Sequence, residues 1–180
     1  MSDNCEFHWY ALHVRERFEK IVSTNLTGKG YEVFLPTYSS RRRWSDRIKV
    51  IEMPLFSGYV FCRFYFGERL PILTVPGVQH VVSFGQTVTP VDPTELNALR
   101  SAVDSGLPCE PWPYLEVGHR VRVENGPLTG LEGFVLDITK PCKLVISLNL
   151  LSRSVAVELD RVSVKPIPSP KTAEHRVAVA

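Results

Sequence analysis

Three prolines, Pro108, Pro111 and Pro113, fall within the run Gly-Leu-Pro-Cys-Glu-Pro-Trp-Pro-Tyr-Leu-Glu at 106–116. Proline lacks the N–H that a helix interior or central strand needs, and it fixes its own φ. So dense a run favours an extended linker. It divides the chain into a front part, 7–105, and a back part, 117–166. A second proline cluster (Pro166, Pro168, Pro170) leads into a polar tail, 167–180. At 180 residues, two small domains joined by a linker are within range. The back part, about 50 residues long, is near the lower limit for a domain with its own core.

The front part mixes element types. Trp9–Val14 is short and apolar, as a strand requires. Phe18, Ile21, Val22 and Leu26 then recur at helical spacing, which predicts one apolar helix face. Arg15, Arg17, Glu19 and Lys20 are expected on the other sides, and Gly28 and Gly30 stop the helix. Tyr31–Leu35 predicts a strand, and Thr37–Glu52 a loop or a hairpin. Tyr59–Phe66, rich in Tyr, Val and Phe, predicts another strand. A short helix at Glu68–Val75 and a strand at Gln79–Phe84 follow. Asp92-Pro93-Thr94-Glu95 reads as a helix start. Asp92 caps, Pro93 takes the first helical position, and Glu95 completes a box-like cap. Leu96, Leu99 and Val103 form the apolar stripe and Gly106 ends it. The expected front fold is an α+β domain, helices on a small, largely antiparallel sheet.

The back part reads as all β. Val117, His119, Val121 and Val123 alternate with Gly118, Arg120, Arg122 and Glu124 before an Asn125-Gly126-Pro127 turn. Four more short strands are expected at 133–138, 144–150, 154–159 and 162–164. Five short strands in so few residues predict a small closed SH3-like barrel.

Several function classes are disfavoured. No phosphate-cradling Gly-rich loop, nucleophile elbow or His-Glu-x-x-His pair is present, and the five histidines are scattered. Cys5, Cys62, Cys109 and Cys142 form no C-x-x-C pair, so neither zinc nor any other metal is expected. The expectation is a non-enzyme without cofactor. No apolar run reaches membrane-spanning length, and residues 1–8 do not read as a signal peptide. A cytoplasmic protein without membrane contact is expected.

Lys and Arg total 21 against 19 Asp and Glu, only +2. One stretch departs from that balance. Arg41, Arg42, Arg43, Arg47 and Lys49 stand against Asp46 alone, a local +4, with Trp44 inside. Guanidinium groups hold phosphates while a ring stacks on a base, so nucleic-acid contact competes here with a plain solvated hairpin tip. Arg15 and Arg17 extend the same chemistry. In Leu55-Phe56-Ser57-Gly58-Tyr59-Val60-Phe61, Tyr59 and Phe61 fall on one strand face and Val60 and Cys62 on the other. Either the aromatic face is open to a partner, or the strand is buried on both sides.

Together these motifs resemble the NusG family of transcription elongation and antitermination factors over about residues 7–165. Trp9-Tyr10, Leu55–Val60 and Pro76-Gly77-Val78 are similar to that family's N-terminal domain. Val117-Gly118, Val121-Arg122-Val123, Gly126-Pro127, Gly130 and Gly133 are similar to its KOW motif, and Val157-Glu158-Leu159 to its last strands. The resemblance implies an α+β N-terminal domain and an all-β SH3-like KOW barrel. It implies an aromatic pocket for the clamp helices of RNA polymerase's largest catalytic subunit, with Phe56, Tyr59 and Phe61 in it and His13 at its edge. It further implies that Arg15, Arg17, Arg41, Arg42, Arg43, Trp44 and Arg47 face upstream or non-template DNA. Ser57, Pro54-Leu55-Phe56 and Ser83-Phe84-Gly85 resemble the specialised, operon-specific paralogues such as RfaH. Glu68-Arg69-Leu70 departs from that paralogue's threonine-rich motif, and Leu73, Val75 and Pro76 from its DNA-reading positions. Leu150-Leu151-Ser152-Arg153 replaces the loop that in general factors meets Rho or ribosomal protein S10. The expected function is to suppress pausing or termination. The rival expectation is a KOW-mediated RNA-binding or ribosome-associated module.

Overall fold

The structure, a computed structural model, describes residues 6–43, 48–85, 87–112, 119–135, 142–159 and 164–166. The front part opens with β1 (His8–Val14), α1 (Glu19–Gly28) and β2 (Glu32–Phe34). A hairpin, β3 (Thr37–Arg43) and β4 (Ile48–Pro54), leads to β5 (Tyr59–Phe64). The short helix α2 (Leu70–Leu73), then β6 (Val78–Val81), β7 (Ser83–Phe84), β8 (Thr87–Val88) and α3 (Pro93–Asp104) complete it. The central sheet is antiparallel, in the order β2-β5-β1-β6. The Thr37–Glu52 stretch is thus a hairpin, paired from Thr37 with Pro54 to Arg43 with Ile48.

Both faces of this sheet are covered. Tyr10, Leu12, Val14, Val60, Cys62 and Phe64 pack with Val22 and Leu26 of α1 and Ile72 of α2. Ala11 and Phe61, on the opposite pleat, pack with Leu96 and Leu99 of α3. Burial drives the Cys62 thiol up to about 12, so it behaves as a core apolar group. Helix α1 corrects two expectations. Ile21 is half exposed, whereas Glu19 is only 4% exposed. Glu19 lies three residues before Val22 and seven before Leu26, on the inward face, while Ile21 is turned about 100° from Val22. The buried carboxylate accepts the Gly58 N–H at 2.8 Å, which satisfies it.

The back part contains β9 (Cys109–Trp112), β10 (His119–Val123), β11 (Glu132–Val135), β12 (Cys142–Leu148), β13 (Arg153–Leu159) and β14 (Val164–Pro166). Their order is β14-β10-β11-β12-β13-β9. The expected closed barrel is not found: β14 and β9 are the two edges, and no ladder among the described residues joins them. The proline-rich run is not merely a spacer. Pro111 stands opposite Val155 and Trp112 opposite Ser154 on an edge, where a missing N–H is tolerated. Lys143 pairs with Glu110 and lies 4.8 Å from the Trp112 ring. Residues 167–180, the expected tail, lie outside the described residues.

Glycines of the back part serve two purposes. Gly126 and Gly130 have φ of 94° and 87° in the β10–β11 turn, where Gly130 N–H donates to Val123 O at 2.8 Å. Gly133 instead is pressed against β12: an added Cβ meets Leu144 Cδ1 at 2.8 Å and the Val145 carbonyl oxygen at 2.9 Å. Gly133→Ala is expected to cost about 2–3 kcal/mol as overpacking against backbone. Gly130→Ala, with open space around it, is expected to cost about 1 kcal/mol for its left-handed φ. Thermal midpoints of the two variants check the ranking; equal shifts would contradict it.

Candidate functional site

The turn Phe56-Ser57-Gly58-Tyr59 sets the site. Gly58 adopts φ 82°, its carbonyl accepts the Val14 N–H at 2.8 Å, and Glu19 holds its own N–H. The turn therefore fixes where Phe56 ends and β5 begins. Phe56 and Phe61 meet edge to face at 6.0 Å, and Phe34 lies 6.1 Å from Phe61. Phe61 belongs to the face that sequence patterning singles out, and Phe56 and Phe34 extend it.

That face is occupied by the same chain. Phe56 and Phe61 are 1% and 0% exposed, and their cluster includes Leu148 and Val155 of the back sheet. Leu150 and Leu151 flank it, partly buried. Of the two readings of β5, burial on both sides describes this conformation. The cover on one side comes from the other half of the molecule.

Polar contacts close the seam. Glu95 accepts the backbone N–H of Asn149 at 3.1 Å and its side-chain amide at 2.5 Å. The expected box-like cap is therefore not formed by Glu95. Asp92 alone caps α3, accepting from Thr94 N at 2.7 Å and Glu95 N at 3.4 Å. Burial raises the Glu95 carboxyl above its ordinary range; the Asn149 bonds oppose that rise and nearby Asp92 adds to it. Arg100 of α3 lies 4.8 Å from the Trp9 ring and 5.1 Å from the Phe34 ring, tying the helix to the sheet.

Tyr59 and His13 sit at the seam's margin, both half-buried. Their rings are 5.3 Å apart, and His80 stacks on His13 at 4.8 Å. His13 Nδ1 is buried without a hydrogen-bond partner. Arg153 of the back sheet lies 5.4 Å from the Tyr59 ring. His13, Tyr59 and Arg153, with Arg15 and Arg17, border one cleft of about 560 Å³.

The remaining basic residues are elsewhere. Arg41, Arg42 and Arg43 occupy the far end of β3, with Arg42 opposite Lys49 in the register. Trp44 and Arg47 lie outside the described residues. Among the described residues, no group of three or more His, Cys, Asp or Glu is placed to hold a metal ion. No helix among them is long and apolar enough to cross a membrane. Sequence reasoning missed three contributors: Glu19, the Glu95–Asn149 contact and Arg153. Helical phase alone flags Glu19; no local signal pairs residues 95 and 149, which only the tertiary fold joins.

The comparisons with known proteins bear on the whole chain. Residues 7–100 match the family model described as "Transcription termination factor nusG". The chain is similar to proteins named transcription termination/antitermination protein NusG. The one from Halalkalibacterium halodurans is 24% identical over 90% of this chain and 99% of the relative. The one from Pseudomonas aeruginosa is 26% identical over 88% and 98%. The solved structure titled "Domain interaction in Thermotoga maritima NusG" aligns with a TM-score of 0.57 at 21% identity, covering 91% of this chain and 98% of that one. At that identity the likeness concerns the fold: strand-rich sheets with few helices, across both parts of the chain.

Proposed function

The chain belongs to the NusG family, and we propose from that premise that it is a transcription elongation and antitermination factor acting at specific operons. In this reading the front part binds the clamp helices of RNA polymerase through His13, Phe56, Tyr59 and Phe61, and so suppresses pausing or termination. No bond is made or broken. A factor that binds the active conformation better than the paused one shifts the population between them. The back sheet is read as a KOW unit of SH3 type.

One observation carries the reading. The aromatic face is covered by a patch from the other half of the chain: Leu148, Val155 and the Glu95–Asn149 contact. A permanent core does not need a detachable lid, whereas a partner-binding face kept from aggregating does. The loop Leu150–Arg153, where the family meets Rho or ribosomal protein S10, lies on the same seam. Docking thus covers the aromatic face together with Leu150 and Leu151 of that loop, and release presents both. Arg15 and Arg17, and the end of the β3–β4 hairpin, lie outside both covered surfaces and are read as touching upstream or non-template DNA through phosphates, which fix position without reading sequence.

The experiment is a pull-down of the full chain with core RNA polymerase, comparing Tyr59→Ala. Tyr59 is half-buried, so its truncation leaves the core largely intact. A buried aromatic anchor at an interface contributes about 2–4 kcal/mol, so binding is expected to fall at least tenfold. Unchanged capture would sink the aromatic-face reading. Tight RNA binding with no polymerase capture would favour the KOW-mediated RNA-binding alternative.

A further inference from the structure

We propose that the cleft between the Arg15–Arg17 loop and Arg153 is a composite binding site for the phosphodiester backbone of single-stranded nucleic acid. It is complete only when the two halves are docked. The three guanidinium groups come from different places. Arg15 and Arg17 precede α1, and Arg153 opens β13. All three are exposed, and among the described residues none has a carboxylate within ion-pair distance. Glu16 also borders the cleft, leaving a net +2 there. Elsewhere the described arginines near carboxylates pair with them, as Arg63 and Arg100 do with Glu32 and Arg122 with Glu132. Arginines without carboxylate partners that line one concavity have the chemistry of phosphate recognition.

The rest of the lining favours a nucleotide chain over a lone ion. A volume of about 560 Å³ is several times that of a phosphate and within the range of small-ligand sites. The Tyr59 and His13 rings supply aromatic surface beside the cations. Stacking faces next to a basic groove are what sequence-tolerant single-strand binding uses. Backbone geometry supports a shaped site: Arg17 holds φ 69°, a conformation uncommon for a residue with a side chain. Because the ligand needs both halves, it binds the docked form better and shifts the population toward it. The site is therefore a brake on release of the covered face.

The test is fluorescence anisotropy of the full chain with a labelled oligothymidylate of about eight nucleotides, without polymerase. Its failure leaves the polymerase reading standing. Arg153→Gln is expected to weaken binding about tenfold, the size of one charge-assisted contact. It should also lower the salt slope by about 0.7, one phosphate's share on a single strand. Arg15→Gln should do the same, Arg153→Lys less, and Arg122→Gln on β10 nothing. If Arg153→Gln leaves affinity unchanged, or Arg122→Gln weakens it equally, the composite site is wrong. Inorganic phosphate binding with the same Arg153 dependence, and no oligonucleotide binding, would overturn the nucleic-acid assignment in favour of the free anion.

Discussion

A Phe61→Ala chain is expected to lose about 3–5 kcal/mol of stability, the usual cost of deleting a buried phenyl ring. The ring is 0% exposed and has neighbours on every side. Across the sheet it is flanked by Ala11 of β1 and Phe34 of β2. Above it lie Phe56, Leu96 and Leu99, and beyond them Leu148 and Val155 of the other half. Neighbours drawn from two sheets and a helix cannot all collapse into one void, so the cavity term stays near its upper value. Against a total stability of about 5–15 kcal/mol, the loss is a large fraction. Urea unfolding of the full chain measures it, with Val50→Ala as control, since Val50 is 58% exposed on the hairpin. A midpoint shift no larger than the control's would mean that the aromatic cluster is not a core. The same calculation explains why Tyr59, rather than Phe61, is the residue to mutate when polymerase binding is the question. Truncating Phe61 changes folding and binding together.

Much of the front part was legible in the sequence, because its signals are local. The β1 and β5 strands, the α1 stripe through Val22 and Leu26, and the Asp92 cap each depend on residues a few positions apart. What was illegible depends on distant residues. Glu95 has the right type and spacing for a capping box, yet Asn149 offers it two donors from the other half and takes it. Phe61 lies on a face that patterning leaves open to either burial or a partner; the decision rests on Leu148 and Val155, about ninety residues away. Barrel closure is likewise not a local property. The strand alternation gives the correct elements, but the core of the back sheet includes Ala102 of α3, and β9 continues the sheet at an edge. Pro111 within β9 suits that edge position, which a reading of the run as pure linker overlooks. The candidate site was half legible. His13, Tyr59 and Arg15 are brought to one cleft, whereas Arg153 joins them only through the docking of the halves.

A Leu148→Ser chain is expected to bind RNA polymerase more tightly than the unaltered one, by about tenfold to a hundredfold. Leu148 is 1% exposed and contributes to the shared cluster, not to the separate core of the back sheet. Under the proposed function its burial therefore stabilises the docked form alone. Removing a buried leucine side chain costs about 2–5 kcal/mol where its neighbours stay in place. In the released form position 148 faces water, and serine costs nothing there. The docked form alone is weakened, and a shift of about 2.7 kcal/mol is a hundredfold in population. A ligand that needs the released form has its apparent affinity divided by the fraction released, so the gain continues until release is nearly complete. Polymerase titration of the two chains measures it, with Leu148→Ser/Tyr59→Ala as the internal check. If the gain comes from uncovering the aromatic face, the double variant loses it; a gain that survives loss of Tyr59 arises elsewhere. Oligonucleotide affinity should move the opposite way, because releasing the back sheet carries Arg153 away from Arg15 and Arg17. Two affinities changing in opposite directions from one buried substitution distinguish a docking equilibrium from general damage, which lowers both. Weaker polymerase binding by Leu148→Ser would show that the docked arrangement is itself the polymerase-binding form.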